Sequence, residues 1–282
     1  MISGSAFNLS AEIARQQALS KEIAQLQTNI SSGIQVHVAS DDPVAAARIA
    51  QIRASQADTK VYSTNVDRAS ATTSQIDTSL GDVQTALDRA KELVLSASNG
   101  TMNAEGRSGV VTELQGILSD IQGYSQQTDS SGQPLFTTGT PLSVPIGRSS
   151  TVAVNESFDA VFGSVTMKDG STKSIADVLN AAISAVTSND SAGMSSSLDA
   201  VDASQSQVTI ARTDVGVRET QLSAASDRLA NSSTDLADER SGLESTDVTV
   251  AAATLSAKMT ALSAAQTVLA QLSKTNLFDL LS

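Results

Sequence analysis

The chain has 282 residues, a formal charge of −12 and a pI near 4.4, which exclude a nucleic-acid backbone or an anionic membrane surface as its main partner. It has no cysteine, so disulfides and thiolate chemistry are excluded as well. Aromatic residues are 2% and tryptophan is absent, while much of the 40% hydrophobic content is alanine; this suits closely packed helices better than a bulky globular core, and the length allows one to three domains.

No continuous apolar run approaches the length of a membrane span, so none is expected. Met1–Ser20 is polar and interrupted by charges, unlike a cleaved secretory signal. The protein is therefore expected to stay in the cytoplasm or to leave by a route that needs no such signal.

Taken in chain order, Leu19, Ile23, Leu26 and Ile30 recur in steps of 4, 3 and 4, the spacing of a helix with one seam against a partner. Gln, Lys, Glu and Asn fill the other face. Ser32-Gly33 breaks the pattern, so residues 1–40 read as an N-terminal arm. Ser40-Asp41-Asp42-Pro43 then reads as a helix start, with Asp42 as the cap and Pro43 in the first helical position. Ile76, Leu80, Val83, Leu87, Ala90 and Val94 form the cleanest heptad segment, ending at Asn99-Gly100. Val110, Leu114, Ile117, Ile121 and Tyr124 predict an antiparallel return helix. Residues 41–130 are thus the first part of a helical rod domain.

From Asp129 the character changes. Turn formers at Asp129–Gly132 precede Leu142-Val144-Ile146 and Val152-Val154, which alternate as strands do. Residues 131–174 read as a small β-rich insert, in which Phe136, Phe158 and Phe162 fill a small core. Helical patterning resumes at Ile175 and stops near Asn189. Val201, Val208, Val215, Leu222, Leu229, Leu236 and Leu243 then hold one heptad position, marking a helix of about 70 Å with one strong stripe and a softer second one. Residues 175–246 are the second part of the rod. The arm 247–282 carries Leu255, Met259, Leu262, Leu269 and Leu272 on its seam.

The fold class is therefore mainly α: long heptad-patterned helices in a bundle, paired terminal coiled-coil arms and a small β-rich insert. The two terminal seams bury most simply against each other. Narrow seams on a lone helix pair bury little surface, so the arms are expected to be largely disordered in the isolated subunit and to fold on assembly, and the nine seam residues named above form the expected assembly interface. No catalytic, cofactor or metal site is expected. His37 is the single histidine and makes a poor metal set by itself, and Asp41-Asp42 before Pro43 reads as a cap before it reads as a catalytic pair.

Ala39-Ser40-Asp41-Asp42-Pro43-Val44-Ala45-Ala46-Ala47-Arg48-Ile49, Tyr62-Ser63-Thr64-Asn65 and the ending Ser273–Leu281 resemble the flagellin superfamily, and within it the hook-associated protein 3 family of hook–filament junction proteins. The resemblance covers about residues 10–130 and 195–281. It implies an extracellular structural subunit of the bacterial flagellum, exported through the flagellar type III channel and assembled through its terminal helices. The partners it implies are other copies of the chain, other hook-associated proteins, flagellin and an export chaperone, with no nucleic acid and no membrane insertion. Two alternatives remain open at this point: a filament-forming or cell-surface flagellin, and a cytoplasmic coiled-coil scaffold.

Overall fold

The computed structural model describes residues 2–279, with side chains over residues 10–271. Six α-helices dominate: α1 (Ile2–Ser32), α2 (Pro43–Ser98), α3 (Ala104–Ser125), α4 (Ile175–Ser188), α5 (Ser191–Glu244) and α6 (Val248–Asp279). Between α3 and α4 lie six short strands: β1 (Phe136–Thr137), β2 (Ser143–Pro145), β3 (Thr151–Ala153), β4 (Glu156–Ser157), β5 (Val165–Thr166) and β6 (Thr172–Lys173). A π-helical turn, Asp159–Gly163, interrupts them. The chain divides into two compact units, Ala57–Ser232 and Met1–Gln56 with Ser233–Ser282. Both α2 and α5 supply residues to each unit.

In the Ala57–Ser232 unit the α2 heptad is the core. Ile76, Leu80, Val83, Leu87, Ala90 and Val94 are all fully buried. The α5 stripe answers it with Val201, Val208, Val215 and Leu222. The two helices run antiparallel, because their cross-links descend on α5 as they climb α2: Asp77 with Arg212 at 3.0 Å, Asp88 with Gln205 at 2.6 Å and Lys91 with Asp202 at 2.6 Å. The softer second stripe on α5 holds more small polar residues than its heptad suggests. Ser197 and Ser204 are buried in line with Ala211 and Ala225, each hydroxyl returning to the carbonyl four residues back. Helix α3 returns after a short loop. It buries Val110, Leu114, Ile117 and Ile121, bridges to α2 through Arg89 and Glu113 at 2.7 Å, and packs on α4.

Helix α4 begins with a reciprocal capping box. Ser174 Oγ accepts from the Asp177 backbone N–H at 3.0 Å, while the Asp177 carboxylate accepts from the Ser174 N–H and hydroxyl. The Ser174 hydroxyl, followed by its amide, holds the Asp177 carboxyl below the usual carboxylate range. A depressed carboxylate stabilises the fold above its unfolded-state pKa, and that contribution is lost as pH falls through the folded value. Asp177→Asn is therefore expected to melt a few degrees lower than the parent at pH 7 and to converge with it in acid, once the pH has fallen below the folded-state pKa of the carboxyl, as melting curves followed from neutral pH into acid would register. A difference that persists unchanged in acid would deny the carboxylate its role. At the other end of α4, Asn189 takes the left-handed conformation with φ 52° and closes the helix.

The insert is built as three two-stranded pairings: β1 with β4 parallel, and β2 with β3 and β5 with β6 antiparallel. Val144 faces Val152 across the hairpin, as the alternation predicts. The aromatic expectation needs a correction. Phe136 and Phe162 stack edge-on with ring centroids 4.9 Å apart, and Phe158 lies 5.5 Å from Phe162, but these rings fill no private core. Leu135, Phe136, Val161, Phe162 and Val165 join the helical cluster of α2, α3, α4 and α5. Strands of two or three residues cannot cover their own apolar faces, so the insert borrows the helices to do it.

Candidate assembly interface

The other unit joins the two ends of the chain. Helix α1 packs on α6. Where they meet the neighbouring segments, Gln35 N–H donates to Glu244 O at 2.7 Å, Thr246 N–H donates to Gly33 O at 2.9 Å, and Ile34 bridges Ser245 in antiparallel fashion. Gly33 ends α1 with φ +70°, a left-handed conformation that suits glycine at this position. Glu22 of α1 pairs with Lys258 of α6, so α1 and α6 lie antiparallel. Exposed ion pairs Arg48–Glu239 and Arg53–Glu244 tie the start of α2 to the end of α5.

Within this frame the seam residues take definite places. On α1, Ile23 is buried and Leu19, Leu26 and Ile30 are half-buried, forming the stripe turned toward α6. On α6, Leu255, Leu262 and Leu269 are half-buried beside a buried Ala251. Met259 differs: it is 49% exposed, and the inward position at its level belongs to Lys258. The side chain of Leu272 lies outside the described residues, as do those of the Ser273–Leu281 ending.

Val248–Gln271 is 24 residues long and contains an 18-residue stretch with a mean hydropathy of 1.3, long and apolar enough by length and composition to cross a membrane. No unbroken apolar run marks it, because Thr, Ser and Lys258 are scattered among its alanines. Its single charge, Lys258, is matched by Glu22 of the partner helix. A further consequence is that α6 is apolar on more than one side. Beyond the α1-facing stripe, Val250, Met259 and Val268 are exposed. A helix that is apolar nearly all round calls for cover on several sides, and α1 gives it one. That signal was readable in the sequence as a near-absence of charge after Asp247.

At the start of α2, Asp42 Oδ1 accepts from the N–H groups of Val44 and Ala45, both at 2.9 Å, and Pro43 is the first helical residue. Asp41 Oδ2 accepts from the N–H groups of His37 and Val38 at 3.0 Å and orders the preceding loop. His37 Nε2 lies 3.3 Å from Ser32 Oγ. Asp42→Ala is expected to cost about 1 kcal/mol through loss of the cap. Thermal unfolding of the variant measures this, and an unchanged melting temperature would refute it. Among the described residues there is no cluster of three or more His, Cys, Asp or Glu able to hold a metal ion.

Helices from both chain ends, packed on each other, find their counterpart among known proteins. The bacterial flagellin N-terminal helical region matches residues 4–140, and the bacterial flagellin C-terminal helical region matches residues 198–281. The chain belongs to the flagellin family. This flagellin-family chain is 32% identical over 94 residues to flagellar hook-associated protein 3 of Salmonella typhimurium, and 33% identical over 86 residues to that of Escherichia coli. These alignments take in 33% and 30% of this chain and 30% and 27% of the two relatives, so the chain aligns with less than a third of either curated relative's length. Its fold is that of a flagellar hook-associated protein from Vibrio parahaemolyticus, with a TM-score of 0.66 at 21% identity over 73% of this chain and 100% of that one. Flagellar hook associated protein-3 from Legionella pneumophila shares the fold at a TM-score of 0.61 and 15% identity, over 69% of this chain and 98% of that one.

Proposed function

We propose that this chain is a structural subunit of the bacterial flagellum that acts as a hook–filament junction adaptor. The observation that carries the reading is the pairing of α1 with α6 in a flagellin-family chain whose curated relatives are both named flagellar hook-associated protein 3. The mechanism is mechanical. The terminal helices, with α6 apolar on several sides, assemble with copies of themselves, and the Ala57–Ser232 unit makes the contacts to unlike neighbours. Other hook-associated proteins and flagellin are those neighbours, an export chaperone covers the chain before assembly, and the site of action is the extracellular flagellum.

Immunogold labelling along purified flagella tests the reading. Label confined to the hook–filament boundary is the expected result, and label along the whole filament or in the cell body alone overturns it. A second reading, a filament-forming flagellin, is favoured by the flagellin terminal regions themselves. It requires the purified chain to polymerise into long filaments, whereas a junction subunit stops at short assemblies.

A further inference from the structure

Most of the buried apolar side chains of the Ala57–Ser232 unit fall into two clusters. The larger gathers α2 from Ile76 onward with α3, α4, α5 as far as Val215, and the insert phenylalanines. The smaller holds Val66 and Ala69 of α2, Leu222 and Ala225 of α5, and Ile146 and Val152 of the β2–β3 hairpin. Between the clusters both long helices turn polar. On α2 the buried residues there are Thr72 and Thr73, and on α5 the intervening residue is Arg218. The Asp77–Arg212 contact sets a register that brings Arg218 within about a turn of Thr73.

This layer is incompletely bonded. Thr73 is fully buried, and its hydroxyl has no protein hydrogen-bond partner. Arg218 donates one Nη to Glu156 Oε1 at 2.5 Å, while its other Nη is buried without a protein partner. Gly216 sits in the same stretch of α5, where glycine weakens a helix and a Cβ would meet nothing within 4 Å. A buried polar group without its bond favours any state that returns it to water. The smaller cluster also has little apolar surface with which to resist opening, since two of its six buried residues are alanines.

We propose that this polar layer is a joint, across which the hairpin-bearing end of the unit opens and recloses as a separate cooperative piece while the larger cluster stays closed. In a junction subunit such a joint supplies compliance between unlike neighbours. That use rests on the junction reading, whereas the joint itself is tested without it.

Native-state hydrogen exchange on the full chain is the test. Amides of Val152, Leu222 and Ala225 are expected to exchange as one group, at least about ten-fold faster than those of Leu80, Leu87, Val208 and Ala211 of the larger cluster. Leu87→Ala removes contacts that stay made when only the hairpin end opens. It is therefore expected to speed the second group about a hundred-fold and to leave the first unchanged. Leu80→Val reads the same asymmetry with a smaller truncation if Leu87→Ala folds poorly. Joining the clusters with an apolar layer, by Thr73→Val with Arg218→Met and Glu156→Leu, is expected to narrow the gap between the groups. A single common rate in the parent chain, or an equal response of both groups to Leu87→Ala and Leu80→Val, overturns the joint. A gap that the apolar layer leaves intact overturns the polar layer as its cause.

Discussion

Leu262→Glu is expected to abolish incorporation into flagella while leaving the melting of the Ala57–Ser232 unit where it was. Leu262 is half-buried on the stripe of α6 turned to α1, next to the Lys258–Glu22 pair. The neighbouring cation is already committed to Glu22, so a new carboxylate gains no free partner from it. In an isolated chain the glutamate can reach water, and the cost stays small. Once further helices cover α6, the charge is enclosed, and an unpaired buried carboxylate costs on the order of several kcal/mol in each subunit. Two measurements together decide the matter: thermal denaturation of the monomer, and the amount of variant recovered in purified hook–filament structures. Normal incorporation would show that this face is not where subunits assemble. A large fall in the melting of the central unit would show instead that α6 is part of its folding.

Arg218→Met is expected to destabilise the Ala57–Ser232 unit by about 3–5 kcal/mol, seen as a lowered urea midpoint. The reason is burial. The side chains of Arg218 and Glu156 are 14% and 13% exposed, so removing the cation strands a carboxylate away from water. Lys168 pairs with Asp199 at a similar distance of 2.6 Å, yet those side chains are 76% and 53% exposed. Lys168→Met should therefore cost no more than about 1 kcal/mol. Adding Glu156→Leu to Arg218→Met removes the stranded charge and should restore most of the loss. Equal effects of Arg218→Met and Lys168→Met would mean that solvent reaches the Glu156 carboxylate.

What the sequence by itself determined was the set of helices and the inward stripe of those that have one apolar face. On α2 the residues from Ile76 to Val94 are spaced at heptad intervals between polar neighbours, so periodicity chooses the face without help. The α1 seam from Leu19 to Ile30 and the α5 valines were legible for the same reason. The Asp42-Pro43 start was legible because capping is local chemistry, complete within four residues.

Tertiary structure decided whatever local pattern leaves degenerate. Helix α6 is apolar on several sides, so the spacing of its large residues could not choose the inward face. Antiparallel pairing with α1 and the Lys258–Glu22 contact turned Lys258 inward and left Met259 exposed. Ser197 and Ser204 look like surface residues by type, but they are small enough to sit in the α5 seam once their hydroxyls are bonded along their own helix. The insert phenylalanines announced a core without saying whose, and only the packing of Phe136 and Phe162 against distant helices answers that. The Arg218–Glu156 pair joins residues 62 apart in sequence, with no periodicity to link them. Long-range pairing of this kind depends on how separate elements meet, and the physical information for it lies in the packed state rather than in any stretch of the chain.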